Sequence, residues 1–436
     1  MRTVNSRVAV FAGLLCLLVA CPARSCFAAA RRITLPNELR LVVRPDWSTE
    51  VVAIEILLDI SALDEPPGQE GIRYLTQRLL LRGTAHESGA SMANRLAAVG
   101  GIADATVGLD YVELYALVPA DGFETALELL ADALRYPAFD PAEVEKQRHD
   151  AGELAHAARD EPFQETYLAL REGLYRNHPY SHHTLGTPAS LAAITREDLL
   201  GFYRGHYVPN RAVVAVCGGV GPVRATRAVR RLFEDWPARP TSIRRVYEIR
   251  TLPASEVVAR ERPLRRAHLI VGFPAAAAGE QGYYPTQVID AILGGGSTSR
   301  LPRRLREELG LVYTVSSFYP TLSQTSHFGI YVVTEPSYVD RIKAAIIHEL
   351  NDLAEHPVNE EELARAKAFL LGSYALSHQR MKEQAYSLAW YEVLGLGVEF
   401  ENRYAEAIEQ VSAQDVQETA QGLFQRFVLA ATLPTT

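Results

Sequence analysis

The sequence predicts an α+β protein of two homologous domains, each a mixed, mainly antiparallel sheet with helices packed on one face. Three observations predict it. An order of strand, helix, proline, acidic turn and second helix occurs twice along the chain. The 436 residues suit two cores of roughly 200 residues each better than one. Each half also opens on an apolar strand, residues 51–60 and 267–273, before its first helix.

The repeat is legible element by element. In the first half, residues 110–118 alternate apolar and polar as a strand does, and a helical pattern follows over 122–135. Pro137 and an acidic turn then precede a second helix that opens at Pro141-Ala142-Glu143. In the second half the strand is 327–333, the helix 337–355, the proline Pro357 and the second helix 359–371. Pro137 and Pro357 hold equivalent places. Between the halves, Pro237, Pro240, Thr241, Ser242 and several arginines interrupt the periodic pattern. The expected boundaries are therefore 31–235 for the first domain, 236–249 for a linker and 250–436 for the second.

Residues 1–30 read as a signal peptide: Arg2 and Arg7 supply a positive start, and residues 8–20 form an apolar run too short to span a bilayer comfortably. Two cleavage readings stay open. Leu18-Val19-Ala20-Cys21 looks like a bacterial lipobox, which would make Cys21 a lipidated N-terminus. Ala23-Arg24-Ser25 or Ala28-Ala29-Ala30 would instead release a soluble product. Either way the expected location is the bacterial periplasm. Cys16, Cys21 and Cys26 fall in this leader and leave Cys217 alone, so no internal disulfide is expected and Cys217 is read as a small buried apolar residue. Loss of a leader with three arginines and no acid would take the formal net charge from −8 to −11, which disfavours nucleic acid or an anionic membrane surface as a partner.

The most informative stretch is Gly71-Ile72-Arg73-Tyr74-Leu75-Thr76-Gln77-Arg78-Leu79-Leu80-Leu81-Arg82-Gly83-Thr84. It is expected to form a short buried helix ended by Gly83, with Tyr74 and Arg78 on one face and Gln77 beside them. No G-x-S-x-G elbow, phosphate loop or full G-x-G-x-x-G occurs, and Gly294-Gly295-Gly296 reads as a break between helix and loop. Among the histidines, His178, His182 and His183 cluster in one loop and are read as structural or solvent-exposed rather than metal-binding. His149 and His156 are read as a surface pair on a helix.

This stretch resembles the signature helix of the pitrilysin/insulinase-type metallopeptidases, peptidase family M16 (the inverzincins), whose pattern is G-x-x-H-x-x-E-H-x-x-x-x-G-T. The resemblance extends to Gly100-Gly101 with Asp104-Ala105-Thr106, to His178-Pro179-Tyr180 with Leu185-Gly186-Thr187, to residues 202–219, and to residues 293–313. It covers nearly all of the chain beyond the leader and implies a clamshell-type pair of domains.

By this resemblance the family's two zinc histidines fall on Tyr74 and Arg78, and its general-base glutamate on Gln77. The third ligand falls on Leu154 and a supporting glutamate on Gln147, although a slip of one residue would bring in Glu153. Zinc needs imidazole, thiolate or carboxylate donors at about 2.0–2.3 Å. Arg78 is a permanent cation with no lone pair to give, and Gln77 cannot accept a proton from a metal-bound water. No cofactor is therefore expected in this chain, and no zinc peptidase activity of the chain alone.

The resemblance also assigns Arg306 and Tyr313 to the pair that contacts the substrate carbonyl and supports the developing oxyanion. It assigns residues Ala103, Asp104, Ala105 and Thr106 to the edge strand on which the family adds peptide as an extra strand. The family usually carries asparagine where Asp104 stands, and an ordinary paired strand is the other reading. Some family members are heterodimers in which one subunit holds zinc and the other supplies the arginine–tyrosine pair. The chain resembles the second kind, with a zinc-bearing homologue carrying an intact H-x-x-E-H and a peptide as the expected partners. The alternative is a non-enzymatic structural or peptide-binding scaffold.

Overall fold

The computed structural model describes residues 29–240 and 252–435. The expected leader with Cys21, and most of the linker read at 236–249, lie outside the described residues.

Two sheets carry the fold. The first contains β1 (Arg31–Thr34), β2 (Arg40–Pro45), β3 (Val51–Leu58), β4 (Ile102–Val107), β5 (Val112–Pro119) and β6 (Ala212–Gly218), in the order β1-β2-β6-β3-β5-β4. The second contains β7 (Glu256–Arg262), β8 (Ala267–Ala275), β9 (Val312–Phe318), β10 (Ser326–Thr334) and β11 (Val428–Pro434), in the order β7-β11-β8-β10-β9. Apart from β1, the two orders superimpose strand for strand. β2 runs parallel to β6 and β7 parallel to β11, while every other pair is antiparallel. The duplication extends to single residues. Gly71 and Gly282 each stand just before the first helix of their half, at φ 94° and 92°. That left-handed backbone favours glycine, and a Cβ at Gly71 would meet the Leu185 carbonyl oxygen at 2.7 Å.

The punctuation read from the sequence falls where expected. Asp140 caps the helix Pro141–Asp160 through the amides of Ala142 and Glu143, and Asn359 caps Glu360–Ser377 through Glu362. The helix Ile72–Leu79 tightens into a 3₁₀ turn over Leu80–Arg82 before Gly83 ends it. Cys217 is fully buried on β6, and burial pushes its thiol up to about 12.

Each half's own helices cover one face of its sheet, as expected. The opposite face is covered from the other half, which periodicity did not foretell. Helix Met381–Val393 lays Met381, Ala385, Leu388, Ala389 and Trp390 against Val42, Ala53, Leu57, Val213, Ala215 and Cys217 of the first sheet. Reciprocally, helix Pro162–Tyr175 lays Ala169, Leu170 and Leu174 against Ile270, Val428 and Ala430 of the second. This is why residues 212–218 are buried at every position: a strand covered on both faces reads as a continuous apolar run, not an alternating one.

Polar groups complete the crossing. Arg44 on β2 makes a bidentate pair with Glu401 of the other half, both buried. Asp110 accepts from the Tyr180 hydroxyl and from the Ser323 amide, the latter at 2.8 Å.

Candidate functional site

The helix Ile72–Leu79 rests on the first sheet through Ile72, Leu75 and Leu79, which turns Tyr74 and Arg78 outward and Gln77 inward. Gln77 is fully buried and committed at both ends of its amide. Its Nε2 donates to the Glu113 carbonyl, and its Oε1 accepts from the Tyr207 hydroxyl at 3.0 Å. Tyr74 is half-buried, and that burial raises its phenol above the usual range. Arg78 Nη1 donates to Asp104 Oδ1 at 2.6 Å and to the Ala105 carbonyl at 2.8 Å.

Helix Pro141–Asp160 packs against the helix Ile72–Leu79. Val144, Gln147, Ala151 and Ala155 form the buried stripe. Leu154 lies two turns beyond Gln147 on nearly the same bearing and Glu153 about 120° from it, and both side chains are exposed. Two acids approach Tyr74, Asp104 and Asp150; the latter lies one turn before Leu154, and the Gln147 amide donates to it at 3.4 Å. Asp150 was not singled out from the sequence. Its signal was its place one turn after Gln147 and one turn before Leu154.

Zinc does not fit these residues. One position is a guanidinium bound to a carboxylate, one an amide bonded at both ends, one an exposed leucine and one a phenol. Among the described residues no group of three or more His, Cys, Asp and Glu side chains is arranged to hold a metal ion. The loop histidines have other work. His178 Nδ1 accepts from the Tyr180 amide at 3.1 Å, and its Nε2 meets Gln324 Oε1 at 3.1 Å, so it pins the loop to the second half. His183 Nδ1 accepts from the Leu185 amide. His182 stands 3.8 Å from Glu70, an acid not adjacent in sequence.

Strand β4 is one edge of the first sheet, opposite β1, and β9 one edge of the second, opposite β7. Ala103, Asp104, Ala105 and Thr106 lie on β4, and Tyr313 on β9. Arg306 lies in the preceding Pro302–Glu308 segment, a π-helical turn of the kind often found at functional sites. Its guanidinium is partly exposed, with the neighbouring Glu307 at 3.4 Å. Tyr313 is 50% exposed. Its hydroxyl donates to Glu335 Oε1 at 2.7 Å, a bond that raises its pKa, and the Arg266 guanidinium lies 3.5 Å from its ring centroid. Arg266 and Glu335 were missed from the sequence because neither is near Tyr313 along the chain. Among the described residues no hydrogen bond or ion pair joins Arg306 or Tyr313 to the Tyr74–Arg78 patch.

The family description "Insulinase (Peptidase family M16)" matches residues 40–188, and "Peptidase M16 inactive domain" matches residues 193–370. The chain belongs to peptidase family M16. Within the family it is similar to an uncharacterised zinc protease of Streptomyces coelicolor, 29% identical over 79% of this chain and 76% of that one. It is also similar to the uncharacterised zinc protease YmxG of Bacillus subtilis, 27% identical over 80% and 84%. Solved M16-like folds superimpose on it closely. A protease from Helicobacter pylori gives a TM-score of 0.87 at 18% identity, covering 93% of this chain and all of that one. A peptidase M16 inactive domain from Pseudomonas fluorescens gives 0.85 at 18%, covering 93% and 98%. The two α+β halves of this chain are thus the two M16 domains.

Proposed function

We propose that this chain is the non-catalytic subunit of an exported M16 metallopeptidase, supplying Arg306 and Tyr313 to a peptide held at the zinc of a homologous partner. The observation that carries this reading is a contrast between the two halves. At the zinc-motif positions, Gln77 and Arg78 are tied into the fold, whereas Arg306 and Tyr313 present a cation and a phenolic donor at the surface. A fixed guanidinium and a hydroxyl suit a carbonyl oxygen that gains charge during peptide hydrolysis. In this reading the partner supplies the metal, its bound water and the general base. Tyr313 would exchange its bond to Glu335 for one to substrate.

The test is co-production with an M16 homologue that keeps an intact H-x-x-E-H, followed by cleavage of unstructured peptides. Arg306→Ala and Tyr313→Phe complexes should assemble normally and turn over roughly 100-fold more slowly, the usual consequence of losing one oxyanion donor. Unchanged turnover in both variants would sink the role. The engagement of Tyr313 by Glu335 and Arg266 favours a second reading, a non-enzymatic scaffold whose tyrosine is structural. That reading expects assembly without any change in cleavage.

A further inference from the structure

The geometry around Arg78 assigns a site of different chemistry. In an antiparallel ladder only alternate residues exchange bonds with the neighbouring strand. The Gly108 amide donates to the Tyr111 carbonyl at 3.0 Å within the β4–β5 connection. Positions 106, 104 and 102 share its phase and face β5, so Ala103, Ala105 and Val107 turn their N–H and C=O groups to the open edge. At Ala105 both groups are already taken by side chains. The carbonyl accepts from Arg78 Nη1 at 2.8 Å, and the amide donates to Asp104 Oδ1 at 2.8 Å. The same Oδ1 accepts from Arg78 Nη1 at 2.6 Å. One carboxylate oxygen therefore bridges a guanidinium and a main-chain amide at the middle of the sheet edge.

That arrangement is a carboxylate receptor filled from within. A guanidinium carries five N–H donors in a planar fork, and Nε and Nη2 of Arg78 make no hydrogen bond among the described residues. The pair is reachable from solvent, with the side chains of Arg78 and Asp104 26% and 47% exposed. We propose that Arg78 and the Ala105 amide bind the C-terminal carboxylate of an extended peptide, and that Asp104 occupies this receptor in the resting chain. An α-carboxylate is the group that peptide-bond hydrolysis leaves on the N-terminal fragment. A peptide ending there would lie along β4 and meet the main-chain groups of Ala103 or Val107. A strand running through Ala105 without a terminus would instead collide with the Arg78–Asp104 clasp. This edge therefore selects chain ends over chain middles.

Titration calorimetry on the leaderless chain tests this without any partner subunit. The probe is an N-acetylated apolar hexapeptide with no acidic side chain and a free C-terminus, compared with the same peptide as its C-terminal amide. Asp104→Ala should bind the free acid at least tenfold more tightly than the wild type does, and the amide at least tenfold more weakly than the acid. Adding Arg78→Gln should abolish the gain. Asp104→Asn, which keeps the side-chain volume, should behave as Asp104→Ala does, and thermal unfolding checks that each variant is folded. Equal binding of acid and amide, or no gain in either Asp104 variant, would overturn the proposal. Because no zinc subunit is present, a negative result here leaves the Arg306–Tyr313 reading standing, and the converse holds.

Discussion

At the scale of single residues, the side chains at positions 77 and 78 are bonded into the fold. Gln77 illustrates this, since its amide satisfies the Glu113 carbonyl and the Tyr207 hydroxyl in a fully buried place. A buried polar group left without a partner costs about 1–3 kcal/mol, so the amide has a structural reason to be there. His327 shows the same economy with a consequence for pH. The Tyr175 hydroxyl donates to the Thr325 carbonyl at 3.1 Å, so it accepts from His327 Nδ1–H at 2.8 Å. Tyr167 then donates to Nε2 at 2.9 Å. The ring is neutral and fully enclosed, and burial lowers its pKa from 6.5 to about 3. An unfolded chain takes up a proton below pH 6.5 that the native chain refuses, so stability is complete above that pH and is lost as pH falls towards 3. The expected slope is about 1.4 kcal/mol per pH unit from this group. Urea unfolding of the wild type and His327→Asn between pH 7.5 and 4.5 measures it. A variant that keeps the full wild-type slope would rule His327 out as the source.

At the scale of elements, the two crossing helices depend on small residues beneath them. Gly272 on β8 faces helix Pro162–Tyr175, and a Cβ there would meet Leu170 Cδ1 at 2.3 Å. Gly272→Val should therefore destabilise by about 1–3 kcal/mol through overpacking, read as a lower urea midpoint. Leu170→Ala in the same chain should recover part of that loss, since the two sites share one contact. Additive losses would show that the strain lies elsewhere. The repeated elements themselves were legible in the sequence, because alternation, capping residues and Pro137 and Pro357 are local signals. The crossing of Pro162–Tyr175 and Met381–Val393 was not. An apolar helix face reveals that it must be covered, not which sheet covers it.

At the scale of the whole molecule, the reciprocal crossing makes the halves mutually dependent. Without the second half the first sheet would expose Val42, Ala53, Leu57, Val213 and Ala215 to water, and Arg44 would lose Glu401. Breaking a buried pair by removing one partner costs about 3–5 kcal/mol, comparable to the net stability of many domains. Residues 29–240 and 252–435 produced separately should therefore be insoluble or molten, and produced together they should co-purify as a native-like complex. Circular dichroism and size-exclusion chromatography read the outcome. A soluble, cooperatively unfolding first half on its own would refute this dependence.

The sequence by itself determined the family, the duplicated α+β fold and the side chains that stand at positions 74, 77, 78 and 154. Those properties rest on residue identity and local periodicity: a guanidinium has no lone pair wherever it stands, and Gly71 and Gly83 frame the helix whatever surrounds it. Only the tertiary structure decided that Asp150 and Asp104 both approach Tyr74, Asp150 receiving the Gln147 amide and Asp104 the Arg78 guanidinium. It also decided that Asp104 bridges the Arg78 guanidinium and the Ala105 amide, and that Glu335 and Arg266 hold Tyr313. Those facts depend on which groups from distant parts of the chain come within hydrogen-bonding reach. Packing sets that distance, and spacing along the chain does not encode it.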